Sequence, residues 1–168
     1  MMQIFKLLAA GLASVLIAAS SQANPEIYDF DWRDKRYHSK QTGQIEELSR
    51  EHFGSGLTHT KQDLKTLQRL IHKGAINRNN TEQLQALGAV LGNVMTEDFG
   101  LVWKIYEDNL GRSRALCTET EEHSECLFPI TMLSRRIEVG IVPDVQEVYK
   151  KAYEAIKPHL QKLPYEVN

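Results

Sequence analysis

The chain has 168 residues with 20 basic and 22 acidic side chains, a formal net charge of −2, two cysteines and a quarter of its residues charged. Mild acidity without a basic run argues against nucleic acid as a partner, because such partners select a clustered positive face. About 145 residues remain if the first 23 are removed as read below, enough for one domain with a sizeable core.

The N-terminus, Met1 to Lys6 followed by the apolar run Leu7–Ala19 and then Ser20-Ser21-Gln22-Ala23, has the form of a secretory signal. One lysine, a short apolar stretch and small residues at Ser21 and Ala23 predict cleavage after Ala23. The run is too short for a spanning helix, which needs about 20 apolar residues. Residues 1–23 are therefore read as a signal peptide, and no stable membrane insertion is expected once it is gone. Its removal takes Lys6 and no acid, leaving 19 basic against 22 acidic side chains, a balance of −3. A periplasmic or secreted location follows, and in such an oxidising place Cys117 and Cys126 are expected to pair.

Residues 24–60 read as an N-terminal arm and a short helix. Tyr28, Phe30 and Trp32 alternate with Asp29 and Asp31, which suits an extended piece whose aromatics pack on the domain. Ile45 and Leu48 suggest a short helix over Gln44–Phe53, broken by Gly54-Ser55-Gly56. Residues 61–165 read as a single α+β domain. Thr60 to Asp63 has the form of a capping box, and Leu64, Leu67, Leu70 and Ile71 share one helical face behind it. Lys73 and Gly74 stop that helix.

A second helix starts at Asn79–Glu82 and carries Leu84, Leu87, Leu91, Val94 and Met95 on its stripe. Gly88 and Gly92 lie one turn apart within it. Each costs about 1 kcal/mol relative to alanine, so the pair predicts another backbone packed closely there. Gly100 closes the helix. Leu101, Trp103 and Ile105 alternate with Val102, Lys104 and Tyr106, a period-2 strand. Asn109-Leu110-Gly111 makes the turn. Ser113–Cys117 and Cys126–Met132 are read as the next two strands, with Phe128, Ile130 and Met132 on one face and Pro129 forcing an edge or a bulge. Thr118–Glu125 is an acidic tip. Asp144–Glu147 opens a last helix with Val145, Val148, Tyr149, Ala152 and Ile156 inward, and Pro158 should kink or end it. The expected fold is α+β: N-terminal helices, a three-stranded antiparallel meander and a C-terminal helix in one domain.

GAI at Gly74–Ile76, LQALGAVLG at Leu84–Gly92, GLVW at Gly100–Trp103, EDNLGR at Glu107–Arg112 and LFPITMLSRRIE at Leu127–Glu138 follow one another in order. Taken together, these motifs resemble a bacterial family, the domain of unknown function numbered 3806. The resemblance runs from Leu67 to Tyr149 and implies no activity. The cysteine pair departs from the family pattern.

The residues that carry chemistry are few. The six histidines show no H-E-x-x-H or comparable ligand spacing, so neither metal nor cofactor is expected. His123 among Glu121, Glu122 and Glu125 reads as a solvated tip. No G-x-S-x-G elbow occurs. The candidate cluster is Glu107, Asp108, Arg112, Arg114, Arg135, Arg136 and Glu138, which the meander would gather at one end of the sheet. Arginine forks hold carboxylates or phosphates, so the expected function is a non-enzymatic binding or interaction protein of the cell envelope, with an envelope protein as partner. A small periplasmic hydrolase using Glu107 or Asp108 with arginine assistance is the alternative. A purely structural salt-bridge net is the plainest reading of the same residues.

Overall fold

A computed structural model of the chain describes residues 24–119 and 124–160. The expected signal segment and the tip residues Glu121, Glu122 and His123 lie outside the described residues, as does the end of the expected domain. The described elements are β1 (Glu26–Asp29), α1 (Trp32–Phe53), α2 (Asp63–His72), α3 (Thr81–Phe99), β2 (Val102–Asp108), β3 (Gly111–Cys117), β4 (Cys126–Leu127), α4 (Pro129–Glu138) and α5 (Val145–Ile156), followed by a 3-10 turn (Lys157–His159). The fold is α+β, with an antiparallel sheet in the order β1-β2-β3-β4. Among the described residues no helix is long and apolar enough to cross a membrane.

The core is built on α3. Leu84, Ala86, Leu87, Ala89, Leu91 and Met95 are fully buried and Val90 and Val94 nearly so, which makes the helix apolar on most of its circumference, the pattern of a central helix. Leu101 and Leu116 of the sheet region, Leu67 and Leu70 of α2, Leu133 of α4, Val145 and Ile156 of α5 and Ile45 of α1 complete one cluster. Asn80 caps α3 by accepting from the Gln83 N–H, and Gly100 closes it in the left-handed region.

Of the glycine pair, Gly88 meets the close backbone that the spacing implies, whereas Gly92 meets side chains. A Cβ on Gly88 would stand 2.5 Å from the Ile130 Cα and from the Pro129 carbonyl oxygen, so the backbone of α4 lies directly on α3 there. At Gly92 the close neighbour is a side chain, the Trp103 ring.

Three expectations need correction. The sheet has four strands, because Glu26–Asp29 pairs with β2 from Glu26 opposite Glu107 to Asp29 opposite Lys104. The segment after it is a 22-residue helix, which starts at an Asp31–Asp34 capping box well before Gln44. Its fully buried stripe is Gln41, Ile45 and Ser49; two of the three are polar, so no apolar period marks the helix. Thirdly, β4 stops at Leu127, and Pro129–Glu138 is helix rather than strand. Ile130, Leu133 and Ser134 face inward with the helical i, i+3, i+4 spacing, and Pro129 takes the first helical position, where its missing N–H costs nothing.

Smaller details differ at the caps. The α2 N-cap residue is Gln62, not Thr60. Asp63 turns back instead and accepts from the Thr58 and His59 amides at 2.8 Å each, fixing the loop before the helix. At α5, Asp144 accepts from the Glu147 amide at 2.9 Å, and the helix ends at Ile156 ahead of Pro158 as expected.

Candidate functional site

The end of β4 creates a gap in the sheet. Across β3 and β4, Leu116 opposes Leu127 and Cys117 opposes Cys126, and the Thr118 N–H donates to the Glu125 carbonyl at 3.0 Å. Main-chain groups of a strand alternate in direction, so Leu116, Arg114 and Arg112 turn theirs to the same edge as Thr118. If β4 continued in register, Pro129 would oppose Arg114 at a position that requires an N–H donor. Proline has none. The chain therefore leaves the sheet at Phe128 and coils into α4, and the main chain of Arg112 and Arg114 is left without a strand partner among the described residues.

A cavity of about 620 Å³ occupies this place. Gly111–Arg114 form one side, Phe128, Ile130, Thr131 and Arg135 the other, and Gln85 of α3, Tyr106, Asp108 and Leu110 complete the lining. Tyr106 and Phe128 meet edge to face with ring centroids 5.1 Å apart.

Its three arginines are held in different ways. Arg112 Nη2 donates to both carboxylate oxygens of Asp34, at 3.0 and 3.2 Å. Asp34 also accepts from the Asp31 amide in the α1 capping box, so one carboxylate ties the start of α1 to β3. Arg114 is half-buried, with its guanidinium carbon 4.9 Å from the centroid of the Tyr37 ring. Burial lowers its pKa, against the raising influence of Tyr37 and Asp34. Its Nη1 is buried and has no hydrogen-bond partner among the described residues. Arg135 is exposed on the last turn of α4 and forms no ion pair among the described residues.

Of the sequence-derived cluster, then, Asp108, Arg112, Arg114 and Arg135 meet at one cavity. Asp108 Oδ1 is occupied by the Leu110 amide of the hairpin turn at 2.8 Å. Glu107 is exposed on β2 opposite Arg112. Arg136 turns back to the Met132 carbonyl, and Glu138 ends α4; neither lines the cavity. Asp34, Tyr37 and Gln85 were not in the cluster. The Asp31–Asp34 capping spacing was the available signal for the first two.

Behind Arg114 a polar group crosses the α1–α3 seam. Asn93 Oδ1 accepts from Trp103 Nε1 at 2.9 Å and lies 2.7 Å from His38 Nε2. An indole nitrogen only donates, which settles the amide orientation and makes His38 Nε2 the second donor. His38 Nδ1 is then a buried acceptor with no partner among the described residues, and Gln41 Oε1, on a fully buried side chain, is another. Burial lowers the His38 pKa; the Asn93 bond opposes the shift and Arg114 adds to it.

A second cavity of about 650 Å³ lies between the start of α2 and α5. Of its charges, Lys61 reaches Asp98 at 2.8 Å and Glu147 reaches Lys151 at 3.4 Å, while Lys65 and Lys150 form no ion pair among the described residues. The bonds from Asp98 and Tyr149 push the Lys61 pKa up to about 12. The slot beside β3 differs in holding a buried guanidinium nitrogen, Arg114 Nη1, without a partner among the described residues. The Cys117 and Cys126 sulfurs stand 2.04 Å apart, a disulfide distance, at the head of the slot's edge strand. Among the described residues no group of three His, Cys, Asp or Glu side chains is arranged to hold a metal ion.

A family model, described as a domain of unknown function (DUF3806), matches residues 63–149, just over half of the 168 residues. No curated protein matches the chain. A crystal structure of a protein from Bacteroides thetaiotaomicron VPI-5482 is similar in fold, with a TM-score of 0.69 at 15% identity over 82% of this chain. The matched part is 50% of the Bacteroides chain, so this chain spans half the length of that relative.

Proposed function

From the premise that the chain belongs to the DUF3806 family, to which no activity is attached, we propose that it is an exported, non-enzymatic binding protein of the cell envelope whose slot holds an anionic group of its partner. The observation that carries the reading is the convergence of Arg112, Arg114 and Arg135 on one cavity whose single lining carboxylate, Asp108, is already engaged by a turn amide. Guanidinium groups gathered around a concave, partly apolar site favour carboxylate or phosphate. Glu107 and Asp108 are neighbours on a strand and face opposite ways, so they do not flank one bond as a two-carboxylate hydrolase requires. Export rests on the form of residues 1–23 and on the cysteine pair, which in an oxidising compartment closes as a bridge.

The test is polarisation of fluorescein-labelled hexaglutamate at low ionic strength, where exposed charges are least screened. Arg135→Glu should weaken binding about tenfold or more, with an unchanged melting temperature because Arg135 is exposed and makes no ion pair among the described residues. Arg112→Glu is the poorer probe: it sets a carboxylate beside Asp34 and should lower stability as well. Hexaglutamate that binds neither protein, or both equally, would refute the reading.

A further inference from the structure

We propose that the slot takes an extended acidic peptide as an added strand on β3, its main chain pairing with Arg112 and Arg114. The inference rests on the slot being an anion site and goes further, naming the partner's conformation and its pattern of side chains.

Two independent observations meet here. The first is the interrupted ladder. Arg112 and Arg114 present main-chain donors and acceptors to a cavity that begins where β4 ends, and Pro129 explains why the chain does not fill it. Strand partners stand about 4.8 Å apart, and adding a strand to such an edge is a general mode of peptide capture. The second observation is the chemistry of the two faces. Arg112 and Arg114 are two apart on β3 and project to one face, which Ile105 and Glu107 share in register. Ser113 opposes Tyr106 on the other face, where Tyr106 packs against Phe128. A strand laid against β3 would therefore set alternate side chains beside the two arginines, and the residues between them against the two rings. The complementary segment alternates acidic and apolar residues.

This register has a consequence that simple charge attraction lacks. Laid antiparallel as β4 is, the residues opposite Arg114 and Arg112 sit at hydrogen-bonded positions, so their own amides point to β3 while the intervening amides point away. The probe is fluorescein-labelled Glu-Val-Glu-Val-Glu-Val, with one isomer N-methylated on the glutamate amides and another on the valine amides. The parent should bind saturably, the glutamate-methylated isomer about tenfold or more weaker, and the valine-methylated isomer like the parent. Equal binding by both isomers would overturn strand addition and leave the anion reading standing. Failure of the parent together with hexaglutamate would remove both. A dimer in solution that excludes the peptide and dissociates on Arg114→Glu would assign the edge to a second copy and overturn the proposal.

Discussion

Gly88→Ala tests the packing that shapes the slot. In an unconstrained helix the change stabilises, since alanine exceeds glycine by about 1 kcal/mol in helix propensity. Here the new methyl would stand 2.5 Å from the Ile130 Cα and the Pro129 carbonyl oxygen, and 2.6 Å from the Ile130 carbonyl oxygen. Ordinary carbon contacts lie at about 3.5–4.0 Å, so the first turn of α4 has to retreat by roughly 1 Å. These neighbours are backbone atoms and no rotamer change relieves them. Overpacking of this kind costs about 1–3 kcal/mol and occasionally more, and without a rotamer escape the upper end applies. After the propensity gain the net loss is about 2 kcal/mol, a fall in melting temperature of roughly 5–10 °C for a domain of this size. Gly43→Ala is the matched control: Gly43 is exposed within α1 and has nothing within 4 Å of an added Cβ. It should gain about 0.5–1 kcal/mol and melt a few degrees higher. Thermal denaturation followed by circular dichroism measures both. If Gly88→Ala also raised the melting temperature, the close approach of α3 and α4 would be refuted, and with it the placement of Ile130, Thr131 and Arg135 along the slot.

Two further outcomes follow from the same structure. Thiol labelling of the unreduced protein should detect no free cysteine, and replacing Cys117 and Cys126 by serine should cost about 2.5–3 kcal/mol from the entropy of so short a closed loop; two reactive thiols in the untreated protein would exclude the bridge. His38 predicts a pH dependence. Its folded pKa lies below the reference value of 6.5, so the unfolded chain binds the proton first and stability falls as the pH drops below about 6.5. The asparagine bond, Arg114 and the Phe30 and Trp103 rings all contact or face this imidazole. His38→Gln should flatten the decline in melting temperature between neutral and mildly acid pH, and an equally steep decline in that variant would place the responsible group elsewhere.

Much of the fold was legible because its elements carry their own signals. α2, α3 and α5 have apolar stripes of the right period, the hairpin has its period-2 strands, and the Gly88–Gly92 pair foretold a close neighbour. α1 escaped because its buried stripe is Gln41, Ile45 and Ser49. That helix buries polar atoms against α3 and the sheet, and hydrophobic periodicity is blind to such a face. The run Cys126–Met132 is ambiguous for a different reason. Phe128, Ile130 and Met132 satisfy period 2, while Ile130, Leu133, Ser134 and Ile137 satisfy the helical period, and a short apolar run supports either.

For the site, sequence alone determined which side chains are available: the arginines, the lack of ligand spacing for a metal, and the cysteines a short loop apart. Local chemistry decides these, and it is written in the residues. Only the tertiary structure decided that Arg112, Arg114 and Arg135 share a cavity while Arg136, Glu107 and Glu138 do not. It also decided that Asp34, which lies 78 residues before Arg112, and Tyr37 of the same helix steady two of them. The deciding event is the departure of the chain from the sheet at Phe128, just before Pro129. One missing N–H ends the ladder beside Arg114, sends α4 onto Gly88, and leaves a slot where a strand was expected.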